Sequence, residues 1–432
     1  MEDRETTEKR TIRTKIESLA YGPYGVAREQ GQVVLIPRCV PGDEVEARIL
    51  TVKRNYAIGE IVALLTPSPA RQQPPCPYFD ACGGCPWQAA RYGVQLAAKQ
   101  KSVEDALGRI GKLSGFELLP ILPSTQEYHY RRRVRLHADG RGRLGYYRPF
   151  SHELIEIESC LIADAHANAH LRRAREWLKE LKTPIQQIEL IVGDAAGQIV
   201  FAGKAEGRLA RGDEAVSSRF LDAHPEIQGL VLSGRRWRRV WGEGKVCIHV
   251  ADGLVLEIDA ELFSQVNRAG NLELARQVVE WGEFASHDRV LELYCGAGNF
   301  TLPIARRVHE VVAVEGNPQS IENGRANGQR HGVENIRWVC SPAANAVKTL
   351  RQGGEKFSTA ILNPPRAGAK GLEEDLAALG VEKILYVSCE PPTLARDLGA
   401  LERHGYKLVR VRPFDLFPHS YHVEAVAEMV HR

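Results

Sequence analysis

The sequence lacks any run of about 18 apolar residues, the length a membrane-spanning helix requires. Its opening stretch, MEDRETTEKRTIRTK, lacks the apolar segment of a secretory signal. With 26% charged and 44% hydrophobic residues the chain reads as soluble, globular and cytoplasmic, neither disordered nor membrane-bound. A strong net charge is missing too. The value of +3 decides nothing about partners, because a chain-wide mean conceals local patches. Arg131, Arg132, Arg133 and Arg135, then Arg141 and Arg143, and later Arg235, Arg236, Arg238 and Arg239 could form a basic face. Solvated arginines on strand edges are the equal alternative for each run. There is no internal repeat. The nine cysteines are odd in number, and without a secretion signal no disulfide framework is expected. Cys39, Cys247, Cys295 and Cys340 stand among apolar or glycine-rich neighbours and read as small buried hydrophobes, whereas Cys76, Cys82 and Cys85 cluster.

At 432 residues the chain is long enough for two or three domains, each with its own core. Residues 11 to 66 alternate apolar stretches such as VVLIP and EVEARIL with the turn signals Gly22-Pro23, Gly25 and Pro41-Gly42-Asp43, which predicts a small β-barrel. The proline-rich TPSPARQQPPCP ends it. Apolar residues at helical spacing predict one long helix over 92 to 113. Between 128 and 260, strand-like stretches (VRLHAD, RLGYYR, IELIVG, QIVFAG, GLVLSG) surround a helix at 162 to 182, an α+β texture. After 263, buried strands and helices alternate as in a doubly wound, mainly parallel sheet. The expected domains are therefore 1–66, 67–262 and 263–432, with the helix at 92–113 a candidate to pack on the last.

The strand RVLELYC runs into GAGNF and a helix, so Gly296 and Gly298 let the backbone approach a ligand near a helix N-terminus. Glu315, at the end of the next strand, suits two ribose hydroxyls. A G-x-G alone is weak evidence. Thr301 stands where a dinucleotide fingerprint has its third glycine, which favours the amino-acid end of S-adenosylmethionine (AdoMet) over a pyrophosphate. Asn363-Pro364-Pro365, after the apolar strand TAIL, lies where Rossmann-like methyltransferases face the atom they methylate.

Cys389 ends the buried strand ILYVSC and precedes a helix start, where open α/β sheets place active sites and where a thiol pKa is expected to fall. Carbon 5 of uracil is too weak a nucleophile to take a sulfonium methyl unaided. A thiolate adding at carbon 6 turns the ring into an enolate whose carbon 5 can. The candidate base that then removes the carbon 5 proton is Glu424, in FPHSYHVEAV.

These residues resemble the bacterial RNA uracil-5-methyltransferases, most closely the 23S ribosomal RNA branch. The resemblance covers nearly the whole chain and stands on FSQVN (263–267), LELYCGAGNFTLPIA (291–305), VEGNPQSIENGRANG (314–328), NPPRAGAKG (363–371), YVSCEPPTLARDL (386–398) and FPHSYHVEAV (417–426). It implies Cys389 as nucleophile and Glu424 as base, with Gln265, Tyr294, Asn299, Glu315 and Asn363 around AdoMet and the target base. It implies an RNA-binding TRAM barrel at the N-terminus, and a monomer acting on RNA, 23S ribosomal RNA foremost, with no obligate protein partner. Four cysteines, Cys76, Cys82 and Cys85 in C-x5-C-x2-C together with Cys160, are similar to the family's 4Fe-4S site. Spacing alone leaves open whether they ligate zinc or a 4Fe-4S cluster.

Asn363 replaces the family's usual aspartate; its amide can accept from the uracil imide N-H and donate to a carbonyl. Glu390 replaces the commoner asparagine, and Cys340-Ser341-Pro342 stands where an acidic or amide residue usually meets adenine. A transfer RNA or amine methyltransferase, and a catalytically silent RNA-binding iron-sulfur protein, are the rival readings.

Overall fold

A computed structural model describes residues 10–140 and 142–431, so the charged segment 1–9 and Arg141 of the second arginine run lie outside the description. Among the described residues the strands form sheets of six, seven and eight strands and one separate hairpin.

The six-stranded sheet holds residues 11 to 66 in the order Thr11–Lys15, Glu44–Val52, Tyr56–Thr66, Gln32–Pro37, Tyr24–Glu29, Ser18–Leu19. Its two edge strands follow one another directly in the chain, and the sheet packs round Ile12, Ile16, Val34, Ile36, Val45 and Ile49. At the Pro41-Gly42-Asp43 turn Gly42 takes φ +92, open to glycine at low cost. Fully buried Asp43 accepts from Val40 N, Ser68 N and the Arg71 guanidinium, at 2.7, 2.9 and 2.6 Å, which ties the barrel to the proline-rich connection.

The seven-stranded sheet carries the helices Ala165–Glu180 and Asp213–Ala223 on one face, where Trp177, Phe201 and Phe220 pack. The hairpin Lys245–Ala251 with Leu254–Asp259 covers part of the other through Val246, Ile248 and Val250 against Ile191, Val200 and Val231. The same hairpin is stitched forward: Asn323 and Asn327 accept from Asp259 N and Glu257 N, both at 2.8 Å.

The eight-stranded sheet runs Ile336–Cys340, Glu310–Glu315, Arg289–Leu293, Thr359–Leu362, Lys383–Ser388, Glu424–His431, Tyr406–Phe414, Glu117–Leu118. The first five strands are parallel, as the strand-helix alternation predicts, and Glu424–His431 is antiparallel to its neighbours. Chain order reverses between Arg289–Leu293 and Thr359–Leu362, the switch point at which such sheets bind ligands.

The predicted long helix spans Tyr92–Arg109 and buries Val103, Ala106 and Leu107 among Leu394, Ala395 and Leu398 of the C-terminal core. Contact there is so close that a Cβ on Gly399 would stand 2.6 Å from Gly111 O. The helix expected after GAGNF is short, Thr301–Ala305, with Arg306 as its C-cap. Arg268–Gly282 and Ala343–Gln352 are helices the pattern did not announce.

Candidate active site

The strand Arg289–Leu293 ends in a turn built for close approach. Tyr294 holds φ +63, a left-handed conformation that costs a non-glycine residue roughly 1–2 kcal/mol. Gly296 and Gly298 follow at φ +57 and +105, and a Cβ on Gly298 would meet Leu302 Cδ1 at 2.6 Å. Glu315 accepts from Gly296 N (3.2 Å) and Asn317 N (2.9 Å), so one carboxylate shapes the glycine turn and stays half-exposed. Asn299 and Asn271 exchange amide hydrogen bonds at 2.9 and 3.0 Å, which locks the turn to the helix Arg268–Gly282. Behind the turn, burial and the Glu315 charge push buried Glu292 up to about 8.

Asn363 follows the next strand, and its N–H donates to Leu293 O at 3.3 Å, so it stands at the switch point beside the turn. Gln265 is buried, and its carbonyl accepts from Arg132 Nε at 2.9 Å. Phe263, two residues before it, is 76% exposed.

Cys389 and Glu424 are brought together by register. Ser388 pairs with Ala425 across antiparallel strands, and one further step places Cys389 against Glu424. Glu424 is buried, one of its carboxylate oxygens has no hydrogen-bond partner, and burial raises its pKa to about 8, opposed by Arg366. The expected fall of the thiol pKa is not what the structure holds. Burial, then the Glu424 charge, pushes Cys389 up to about 11, while Arg366 pulls it down by charge and hydrogen bond. The following helix begins with Pro391 and Pro392, which bring no N–H to the thiol. The sequence reading did not assign Arg366, although it stands in NPPRAGAKG; its fixed charge beside two proton-holding groups is the signal.

Cys76, Cys82, Cys85 and Cys160 line one cavity of about 250 Å³ with Tyr130, Tyr146 and Arg131. Burial and mutual charge push Cys82 up to about 11 and Cys85 well above its usual value. Among the described residues no group of three or more His, Cys, Asp or Glu side chains is placed to hold a metal ion. Ser420 and His422, from the loop leading to Glu424, line the same cavity. Of the scattered cysteines, Cys39 and Cys295 are buried as expected, but Cys247 is half-buried and Cys340 exposed, because it ends an edge strand.

The arginine runs form less of a basic face than their density suggests. Arg132 is buried against Asp194 at 2.9 Å, Arg133 and Arg135 share Glu189, Arg143 pairs with Asp139, and Arg238 and Arg239 pair with Glu261 and Glu214. The acidic partners lie far off in sequence for most of them, so a local run does not reveal them. Arg235 and Arg236, at a turn, are exposed.

A glycine turn at the switch point, with an acidic residue ending the next strand, defines a Rossmann-like domain, and the matches to known proteins make it an AdoMet-dependent methyltransferase. The family model for tRNA (Uracil-5-)-methyltransferase matches residues 248–431, and that for the TRAM domain residues 5–62. The 23S rRNA (uracil(1939)-C(5))-methyltransferase RlmD of Pectobacterium atrosepticum is 33% identical, over 99% of this chain and 95% of its own. An uncharacterized RNA methyltransferase of Thermosynechococcus vestitus is also 33% identical, over 96% and 97%. The Pyrococcus abyssi tRNA (uracil-54, C5)-methyltransferase, solved with S-adenosyl-L-homocysteine, shares the fold at TM-score 0.76 and 24% identity, over 97% of this chain and all of its own. The chain belongs to the RNA uracil-5-methyltransferase family.

Proposed function

We propose that this enzyme methylates carbon 5 of a uridine in 23S ribosomal RNA through a covalent adduct on Cys389. The observation that carries the chemistry is the register that sets Cys389 against Glu424 beside Arg366. Its RNA target rests on the relatives named for 23S ribosomal RNA, aligned over nearly the whole chain.

In this mechanism the Cys389 thiol loses its proton to solvent, a loss Arg366 favours, the thiolate adds to carbon 6 of the uracil, and the ring double-bond pair moves to carbon 5 as an enolate. Carbon 5 displaces the methyl group of AdoMet, leaving S-adenosylhomocysteine. The ionised form of Glu424, whose pKa burial raises to about 8, takes the carbon 5 proton, and the ring pair expels the thiolate. Asn363 reads the imide N–H and a carbonyl of the uracil, and Gln265 contributes to holding AdoMet or the target base. Glu315 holds the ribose hydroxyls of AdoMet, Tyr294 packs along it, and Asn299 fixes the turn that receives its amino-acid end. The target nucleotide reaches this cleft by leaving its stack.

Cys76, Cys82, Cys85 and Cys160 would hold a 4Fe-4S cluster. Four thiols spread round one cavity fit a polynuclear group better than one zinc ion, whose thiolates all lie ~2.3 Å from a single centre. The cluster would supply a crosslink between residues 76–85 and 160 and offset part of the charge of the four thiolates; methyl transfer requires no redox step from it.

The test is a nucleotide-resolved methylation map of RNA from a strain lacking the gene. Loss of one 5-methyluridine in 23S ribosomal RNA is expected. Loss in transfer RNA instead, or none, overturns the ribosomal target.

A further inference from the structure

The hydroxyl of Tyr21, on the N-terminal barrel, reaches 368 residues along the chain to the nucleophile loop. It donates to Glu390 Oε2 at 3.1 Å and stands 3.4 Å from the Cys389 carbonyl oxygen. Its ring packs against the C-terminal core and lies edge-on to Tyr421, centroids 5.6 Å apart and planes at 87°. Burial and the Glu390 charge raise the pKa of the hydroxyl, so it keeps its proton and remains a donor.

Among the described residues the Glu390 side chain is hydrogen-bonded by Tyr21 and by no residue of its own loop. It occupies the N-cap of the helix Pro391–Arg403 in an extended conformation, yet its side chain makes no capping bond. The reason is local: the next two residues are prolines without N–H groups, so a capping carboxylate finds few donors there. The carboxylate turns to the barrel instead. Its backbone is pinned by Ser388 Oγ, which accepts from Glu390 N at 3.1 Å.

We propose that Tyr21 is a positioning residue for the nucleophile: by holding the Glu390 carboxylate it fixes the Cys389 peptide and makes the barrel part of the active site. The proposal rests on Cys389 being the nucleophile. Four groups bear on the thiol from the elements around it: Glu424 from the neighbouring strand, Arg366 from the loop after Thr359–Leu362, Glu390 from its own loop and Tyr21 from the barrel. Of these, Glu390 is a negative neighbour that disfavours the thiolate, and a donated hydrogen bond reduces that effect. An asparagine at 390 would carry no such charge to be held.

The test uses full-length protein with AdoMet and 5-fluorouridine RNA, whose fluorine cannot leave as a proton, so the rate of adduct formation is read without the Glu424 step. Tyr21→Phe keeps the ring and removes only the hydroxyl. The saturating adduct rate is expected to fall about tenfold, the loss typical of a hydrogen bond to a charged group, with RNA and AdoMet affinities unchanged within about twofold. The acid limb of its pH profile is expected to move to higher pH. In a Glu390→Asn background the limb starts at lower pH, and adding Tyr21→Phe leaves it in place. An unchanged rate and profile in Tyr21→Phe overturns the proposal, as does a loss confined to RNA affinity or a variant whose melting temperature has collapsed. If the parent enzyme forms no adduct, the nucleophile assignment falls and this proposal with it; if the parent forms one and Tyr21→Phe matches it, only this proposal falls.

Discussion

Lys99 Nζ lies 2.6 Å from Asp415 Oδ1, and neither side chain has any solvent exposure. Lys99 also donates to Phe417 O at 2.9 Å, and Asp415 Oδ1 accepts from Phe417 N at 3.0 Å. One turn earlier, Gln95 Oε1 accepts from His419 N at 2.8 Å. The long helix thus grips the loop that ends at Glu424, from a position more than 300 residues upstream.

Breaking that grip strands a buried charge. Lys99→Met should destabilise the protein by about 3–5 kcal/mol, as removal of one partner of a buried pair does. Replacing both partners, Lys99→Met with Asp415→Leu, should recover most of that loss. Urea unfolding followed by circular dichroism compares the three proteins; equal stability of the single variant and the parent would show that the pair contributes nothing.

Glu315 is expected to carry AdoMet affinity. Its carboxylate shapes the glycine turn while half-exposed, so Glu315→Ala should weaken AdoMet binding about 10- to 100-fold, the equivalent of a hydrogen bond to a charged group. Isothermal titration calorimetry measures it. Binding unchanged by the substitution would remove Glu315 from the cofactor site.

Stability should depend on pH through Glu424. Its folded pKa of about 8 exceeds the ordinary 4.5, so between those values the unfolded chain is ionised while the folded protein keeps its proton. Stability from this group is present below 4.5 and is lost as pH rises through 8, at ~1.4 kcal/mol per unit at most. Glu424→Gln, which cannot ionise, should raise the melting temperature more at pH 8 than at pH 5. An equal gain at both would mean that Glu424 is already ionised in the folded protein.

Anaerobically purified protein should contain about four irons and four acid-labile sulfides per chain. Cys160→Ser should lower both and destabilise the tie between residues 76–85 and the loop at 160, where Asn168 already accepts from Cys160 N at 2.8 Å. Stoichiometric zinc without sulfide would replace the cluster by a single ion.

Much of the C-terminal sheet was legible because its strands, such as TAIL and KILYVS, are buried on both faces and read as unbroken apolar runs. Cys389 and Glu424 stood out as motif residues, and the barrel was legible as strands between glycine and proline turns. What the sequence hid was pairing at a distance. Nothing local to Arg132 announces Asp194, nothing near Lys99 announces Asp415, and of the groups around Cys389 only Glu390 is its neighbour in the chain. The helix Arg268–Gly282 escaped because buried Asn271 and Gln277 interrupt its apolar stripe. The thiol pKa was misjudged for a related reason: a helix start was visible, but its two prolines were not weighed against burial beside Glu424.

Covalent catalysis by Cys389 is the central claim, and trapping tests it most directly. Incubation of the enzyme with AdoMet and RNA bearing 5-fluorouridine should give a stable adduct that tandem mass spectrometry places on Cys389 within the segment YVSCEPPTLAR, and Cys389→Ser should give none. An enzyme that methylates ordinary RNA yet forms no adduct, or forms it on another residue, would contradict the account.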